Sequence, residues 1–139
     1  MKRVVLDTNV VVSACLWRGP SSRCLEAWSQ GGFLALVSPP MLAEYADVLE
    51  RLRQRYPDKP WVDWVSALRD AAELVFPALQ IPDAFADPDD AIFAECAVAG
   101  EADFLVSGDK AHVQAAAAVR GIPILSPARF LEIIGSERT

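Results

Sequence analysis

Short apolar runs alternate along the whole chain with longer segments whose apolar residues recur at helical spacing. The first run, 3–6, is rich in β-branched residues and begins almost at the N-terminus, which is typical of a central strand. Such alternation predicts a parallel sheet with right-handed helical crossovers. We therefore expect an α/β fold of three layers, α/β/α, with a central parallel sheet of four to five strands. The predicted strands cover 3–6, 33–37, 75–76, 103–106 and 122–125.

Capping residues, glycines and prolines bound the predicted helices. Ser21 or Ser22 is expected to cap the second helix, which then ends at Gly31 and Gly32. Ser38, followed by two prolines, predicts the start of the third helix, because a missing N–H costs nothing in a first turn. Of the other predicted helices, one begins at 87–88 and ends at Gly100, and the rest cover 8–17, 61–74, 111–119 and 127–134.

The length of 139 residues predicts one domain over 1–139. A hydrophobic fraction of 53% and a mean hydropathy of +0.21 are high, and either a large three-layer core or a buried homodimer interface would explain them. No apolar run approaches the roughly 18 residues of a membrane span. The three cysteines have no metal-binding spacing, so they are interpreted as reduced, buried thiols of a cytoplasmic protein.

The net charge of -6 is unevenly distributed. Residues 1–60 carry eight Lys and Arg against six Asp and Glu, whereas residues 61–139 carry five against thirteen. An acidic chain is a poor candidate for binding nucleic acid nonspecifically through charge alone. It remains compatible with a nucleic-acid enzyme whose pocket is neutralised by a metal ion.

Four acidic residues each lie where an apolar strand gives way to a helix or turn: Asp7, Glu44, Asp90 and Asp109. In a parallel α/β fold such positions gather at the carboxyl edge of the sheet, where ligands bind. Clustered carboxylates repel one another unless a cation compensates. Hard oxygen ligands suit Mg²⁺ or Mn²⁺, and two such ions can activate water and stabilise the departing oxygen in phosphodiester hydrolysis. The spacing therefore predicts a metal-dependent active site.

Each of these acids also has an ordinary structural role to offer. Asp7 can cap a helix, Glu44 can pair with Arg51 on the helix surface, and Asp109 can form an Asx turn. Asp90 follows another acid, so Asp89 is an alternative for the third position. Taken together, the four acids support a metal site more strongly than any one of them does, because all four positions fall at one edge of the predicted sheet. Hydroxyl and amide groups of Thr8, Asn9 and Ser107 are expected to orient the ligands.

Four segments, in this order, carry a resemblance to a known family: DTNVVVSA, SPPMLAEY, DPDDAIFAECAVAG and ADFLVSGDK. They resemble the PIN-domain family, and especially its bacterial VapC-like ribonucleases, the toxins of type II toxin–antitoxin systems. The resemblance covers nearly the whole chain. It implies a PIN-like α/β/α fold and Mg²⁺- or Mn²⁺-dependent endoribonuclease activity, with an RNA substrate and an antitoxin protein as partners.

Residue by residue, the resemblance assigns the four acids of the family's metal site to Asp7, Glu44, Asp90 and Asp109, and its hydroxyl position to Ser107. It also makes a homodimer the expected assembly. The basic residues near loops that could face the same edge are candidate RNA contacts, with solvated surface charge as the alternative; they are Arg18, Arg23 and Lys110. The apolar face of residues 61–68 is interpreted either as core or as a groove for an antitoxin or a second subunit.

Two other classes of function are alternatives to the nuclease. A phosphatase of the haloacid-dehalogenase type needs a second acid two residues after its nucleophilic aspartate, and Asn9 occupies that position here. A non-catalytic PIN-like module that binds a protein partner would not need the complete set of acids. The sequence therefore favours the endoribonuclease.

Overall fold

The computed structural model describes residues 1–77, 91–108 and 118–137. Their strands are β1 (Arg3–Leu6), β2 (Leu34–Val37), β3 (Glu73–Leu74), β4 (Phe104–Val106), β5 (Ala118–Val119) and β6 (Ile122–Leu125). Their helices are α1 (Thr8–Leu16), α2 (Pro20–Ser29), α3 (Pro39–Arg55), α4 (Trp64–Ala71), α5 (Ala91–Ala99) and α6 (Pro127–Glu137). Within these residues no helix is both long and apolar enough to span a membrane.

The sheet has the strand order β3-β2-β1-β4-β6-β5. Five strands are parallel to one another: β3, β2, β1, β4 and β6. The two-residue strand β5 pairs with β6 in the antiparallel direction at the edge of the sheet. The predicted α/β architecture with a parallel central sheet is thus confirmed. β1 lies inside the sheet, with β2 and β4 as its neighbours.

Both faces of the sheet are covered, as the strand register shows. Val4 pairs with Phe104 and Val5 pairs with Leu105, so the two pairs face opposite sides of the sheet, and Val4, Val5 and Leu105 are buried. On the first face, Phe104 lies 6.0 Å from Phe130 of α6, measured between ring centroids. On the other face, α5 packs against β1, β2 and β4. Helices on two faces make the three layers.

Some local predictions were wrong in their bounds or in the type of element. The helix predicted over 61–74 is only Trp64–Ala71, because the Asp63 side chain accepts a hydrogen bond from Ser66 N at 3.0 Å and so fixes the start. The strand expected at 75–76 is Glu73–Leu74. Residues 118–119 form β5 and not the end of a helix.

The cap of α2 also differs from the prediction. The N-cap is Gly19, and Ser22 acts from the first turn: its Oγ accepts from Gly19 N at 3.0 Å and donates to Gly19 O at 2.9 Å. Ser38 caps α3 as predicted, with its side chain accepting from Met41 N. The three cysteines are free and buried.

The apolar face predicted over 61–68 belongs mainly to the core. Val65 and Leu68 are buried, and Trp64 is half-buried, with its ring 6.5 Å from that of Trp28. Trp61 precedes α4 and instead lies under the guanidinium of Arg53, 4.0 Å from the ring centroid. The interpretation as core is therefore the one that the contacts of Val65 and Leu68 support.

Two glycines should respond in opposite ways to the same substitution. A Cβ at Gly100 would lie 2.8 Å from Leu36 Cδ1 and 3.0 Å from Cys96 O, whereas a Cβ at Gly135 in α6 would meet nothing within 4 Å. We expect Gly100→Ala to lower the free energy of unfolding by about 1–3 kcal/mol through overpacking. Gly135→Ala should raise it by about 0.5–1 kcal/mol. Urea denaturation of both variants checks the signs, and destabilisation by both would contradict this account of the helix glycine.

Candidate functional site

The carboxyl edge of the sheet has a topological switch point between β1 and β4. From β1 the chain runs outward through β2 and β3 on one side, while β4 and β6 lie on the other. Asp7 follows β1 and Ser107 follows β4, so these two residues flank the switch point. Open α/β sheets bind their ligands in the crevice at such a point. The fold therefore presents Asp7 and Ser107 where a ligand is expected.

Asp7 is held in place from several directions. Its backbone N–H donates to Val106 O at 3.0 Å, which ties it to the end of β4. Its Oδ1 accepts from Val10 N at 3.2 Å, so Asp7 is the N-cap of α1. Its Oδ2 accepts a hydrogen bond from the Ser107 hydroxyl. The side chain is only 8% exposed. The capping role and the place at the sheet edge are thus compatible.

Glu44 reaches the same edge from α3. Ser38 caps this helix directly after β2, which places Glu44 in the second turn. Its Oε2 accepts a hydrogen bond from the hydroxyl of Thr8, the residue next to Asp7. Thr8 is buried and Glu44 is half-buried. Thr8, the chain neighbour of Asp7, therefore connects Asp7 by a hydrogen bond to an acid 37 positions further along the chain.

Tyr45 fastens α3 to the end of β1. Its fully buried hydroxyl donates a hydrogen bond to Leu6 O, directly before Asp7. Burial raises the pKa of this hydroxyl well above its usual value, with further contributions from Cys96, Asp7 and Glu44. Sequence reasoning missed this role because Tyr45 fits the apolar stripe of α3, and nothing in the spacing marks its hydroxyl.

The first turn of α5 lies toward the same edge. Arg3 Nε, at the opposite end of β1, donates to Gly100 O at 2.9 Å, just after the last turn of α5. Near the start of α5, the Phe93 ring lies 6.2 Å from that of Tyr45. Helix α5 therefore runs from the carboxyl edge of the sheet toward the amino edge.

Several predicted site residues lie outside the described residues: Asp89, Asp90, Asp109 and Lys110. Asp90 directly precedes Ala91, the first residue of α5, and Asp109 directly follows Gly108. Among the residues that the structure does describe, no group of three or more His, Cys, Asp or Glu side chains is placed to hold a metal ion. The described part of the site consists of Asp7 and Glu44 with the hydroxyls of Thr8 and Ser107.

Three other predicted residues are exposed. Asn9 lies in the first turn of α1 and Arg23 in the first turn of α2. Arg18 lies beyond the far end of α1, about 16 Å from Asp7 at the 1.5 Å rise of a helix. It lines a cavity of about 290 Å³ together with Trp17, Lys59, Trp61 and other residues. The structure therefore places Arg18 away from the two carboxylates.

A family model described as "PIN domain" matches residues 3–111, more than half of the chain. The match includes Asp7, Glu44 and Ser107, the residues that meet at the switch point. The chain belongs to the PIN-domain family. PIN domains are generally nucleases, and these nucleases generally use divalent metal ions. No curated protein sequence matches the chain.

Proposed function

We propose that this PIN domain is a metal-dependent endoribonuclease that hydrolyses RNA phosphodiester bonds with Mg²⁺ or Mn²⁺. Asp7, Glu44, Asp90 and Asp109 are the proposed metal ligands. The observation that carries the proposal is the link from Asp7 to Glu44 through Thr8 at the switch point between β1 and β4, two strands that the family match covers. Thr8, Asn9 and Ser107 are the proposed orienting residues.

The chemistry of the described donors fits a hard divalent ion. Asp7 and Glu44 supply carboxylate oxygens, and each oxygen of a carboxylate has about two acceptor positions. A hydrogen bond from Ser107 or Thr8 orients the carboxylate that accepts it. Mg²⁺ and Mn²⁺ prefer such oxygen ligands. Asp90 and Asp109 would complete the set, because one precedes the helix α5 that starts near this edge and the other follows β4.

When bound, the ion would lower the pKa of water and neutralise charge on the departing oxygen. The residues of the chain hold the carboxylates in position for that chemistry. Ser107 holds Asp7 Oδ2, Thr8 holds Glu44 Oε2, and Tyr45 fixes the backbone from which Asp7 extends. A carboxylate that is locked before the substrate arrives loses little conformational entropy on binding.

Cleavage of RNA by the wild type and by Asp90→Asn tests the function. We expect the wild type to cut a panel of tRNA and structured RNAs with Mg²⁺ or Mn²⁺ and to be inactive with EDTA. Asp90→Asn should be inactive and Asp89→Asn active, because one acid of this pair is assigned to the metal. The reverse pattern would move the assignment to Asp89. No cutting by any variant, together with no metal binding in calorimetry, would favour the non-catalytic module.

We also propose a cellular role as the toxin of a type II toxin–antitoxin system, with an antitoxin protein as partner and a homodimer as the assembly. The support is the resemblance to VapC-like ribonucleases and the high apolar content. Induced expression should arrest growth with the wild type but not with Asp90→Asn.

Light scattering at micromolar concentration should give twice the monomer mass, and a monomer would count against the assembly.

A further inference from the structure

Three aromatic rings and four cations form a second cluster, away from the carboxylates. This ring-and-cation patch consists of Trp17, Tyr56 and Trp61 with Arg18, Arg53, Arg55 and Lys59. The Trp17 and Tyr56 rings meet edge to face at 5.5 Å. Arg53 lies over Trp61 at 4.0 Å, Lys59 over Trp17 at 5.3 Å and Arg55 over Tyr56 at 5.7 Å, each measured to the ring centroid.

The patch is locally basic in an acidic chain. Residues 52–61 carry three Lys and Arg, all of them in the patch, against one Asp, although the chain as a whole has a net charge of -6. Elsewhere, Arg51 pairs with Asp47 and Arg69 with Asp70. No such ion pair involves the four cations of the patch among the residues that the structure describes. Their charge is therefore not cancelled by a carboxylate in direct contact.

The patch is also open to solvent. Trp17 is 40% exposed and Tyr56 is 37% exposed, which is high for such large rings. Two neighbouring cavities of about 290 and 300 Å³ share Lys59 and Trp61 in their walls. A flat group could therefore reach a ring and a cation at the same time.

The two helices that carry the acids lead to this patch. Asp7 and Trp17 are the N-cap and C-cap of α1, and Glu44 and Tyr56 lie toward opposite ends of α3. At 1.5 Å per residue, the patch lies about 15–18 Å from the acids. That span equals about five nucleotides at the roughly 3.4 Å rise of a stacked strand, and fewer in an extended one. One short strand could contact both places.

We infer that the ring-and-cation patch binds single-stranded RNA and holds the strand whose backbone reaches the carboxylates. Exposed rings offer stacking faces to unpaired bases, and neighbouring cations follow the phosphates, which is how proteins bind single strands without reading sequence. A base-paired helix hides its base faces, so the patch favours a loop or an unpaired end. The inference rests on the proposed function, from which it takes RNA as the ligand.

The cation–π contacts within the patch do not use up its binding capacity. A guanidinium or ammonium held over a ring by electrostatic attraction keeps its N–H donors for a phosphate. Such contacts at exposed sites are weak, so a base can displace a cation from a ring and leave it beside the strand. The contacts thus preorganise the patch.

Fluorescence anisotropy with a labelled 12-nucleotide single-stranded RNA, in EDTA to prevent cleavage, tests the inference. Arg53→Gln/Arg55→Gln is compared with Arg51→Gln/Arg69→Gln, which removes the same charge from ion-paired positions. The patch variant should weaken binding and make the slope of log K against log salt shallower by about 1.4. Trp17→Ala should raise Kd by about 5- to 100-fold without changing that slope. The control variant should bind as the wild type does.

Equal affinity of the two double variants would overturn the inference and point to a protein partner or to packing as the role of the patch. Failure of the wild type to bind the RNA would overturn it as well. Cleavage is measured separately with Mg²⁺ or Mn²⁺. Binding through the patch without cleavage would refute the nuclease and leave the RNA-binding surface. Cleavage by the wild type, with RNA binding unchanged in the patch variants, would support the nuclease and refute the RNA-binding role of the patch.

Discussion

Asp7→Asn is expected to lower the rate of RNA cleavage by at least about 10²-fold while leaving the fold intact. Asparagine is as good an N-cap as aspartate, so its side-chain oxygen can still accept from Val10 N. The Ser107 hydroxyl can rotate to accept from the new amide. What disappears is the negative charge at the proposed metal site, and removal of one such electrostatic contribution commonly costs about 10²–10³ in rate. Initial rates with Mg²⁺ and urea denaturation measure the two effects.

Asp63 provides a matched control for this substitution, because it also caps a helix through its side chain but at the start of α4. Asp63→Asn should leave both cleavage and stability close to those of the wild type. Asp7→Ala separates the two roles of Asp7, since loss of the cap should cost about 0.5–2 kcal/mol of stability in addition to the activity. Cleavage by Asp7→Asn at the rate of the wild type would refute the assignment of Asp7 to the metal site.

Phe130→Ala is expected to lower the free energy of unfolding by about 3–5 kcal/mol. Phe130 is fully buried, and its ring meets that of Phe33 edge to face at 4.9 Å and lies 6.0 Å from that of Phe104. Truncation would leave a cavity between α6 and the sheet. Domains of this size are stable by about 5–15 kcal/mol, so this loss is a large part of the total.

Phe76→Ala is the matched control, because the Phe76 side chain is 72% exposed and its removal should change stability by no more than about 0.5 kcal/mol. The family match ends at residue 111, yet Phe130 is a core residue of this fold. A fragment of residues 1–111 should therefore lack cooperative unfolding in urea. Equal midpoints for Phe130→Ala and Phe76→Ala would contradict this account of the core.

The elements with strong local signals were predictable from the sequence. The β-branched run at β1 favours a strand covered on both faces, and Ser38 with its prolines indicates a helix start. These two signals place Asp7 after β1 and Glu44 within α3. The alternation of strands and helices then indicates that both residues lie at the carboxyl edge. That much of the site follows from local chemistry and one rule of topology.

The contacts that join these residues were not predictable, because they depend on tertiary packing. No spacing indicates that Thr8 bonds to Glu44 or that the Tyr45 hydroxyl reaches Leu6 O. The start of α4 has a local cause instead: Asp63 caps the helix, so the helix begins three residues after Trp61, where the apolar periodicity begins. The ring-and-cation patch joins the end of α1 to the last turn of α3 and the segment after it, so only the packing of these helices reveals it.

The hydrogen bond from Ser107 to Asp7 joins residues that are 100 positions apart. A chain growing on the ribosome contains Asp7 and Glu44 long before it contains β4, the strand that brings Ser107 beside Asp7. Assembly of the site must therefore await the synthesis of β4 and its docking against β1. Under the proposed function, chains that end before β4 would lack the Ser107 hydroxyl beside Asp7 and would be inactive, so activity against RNA would appear only after this strand has been made.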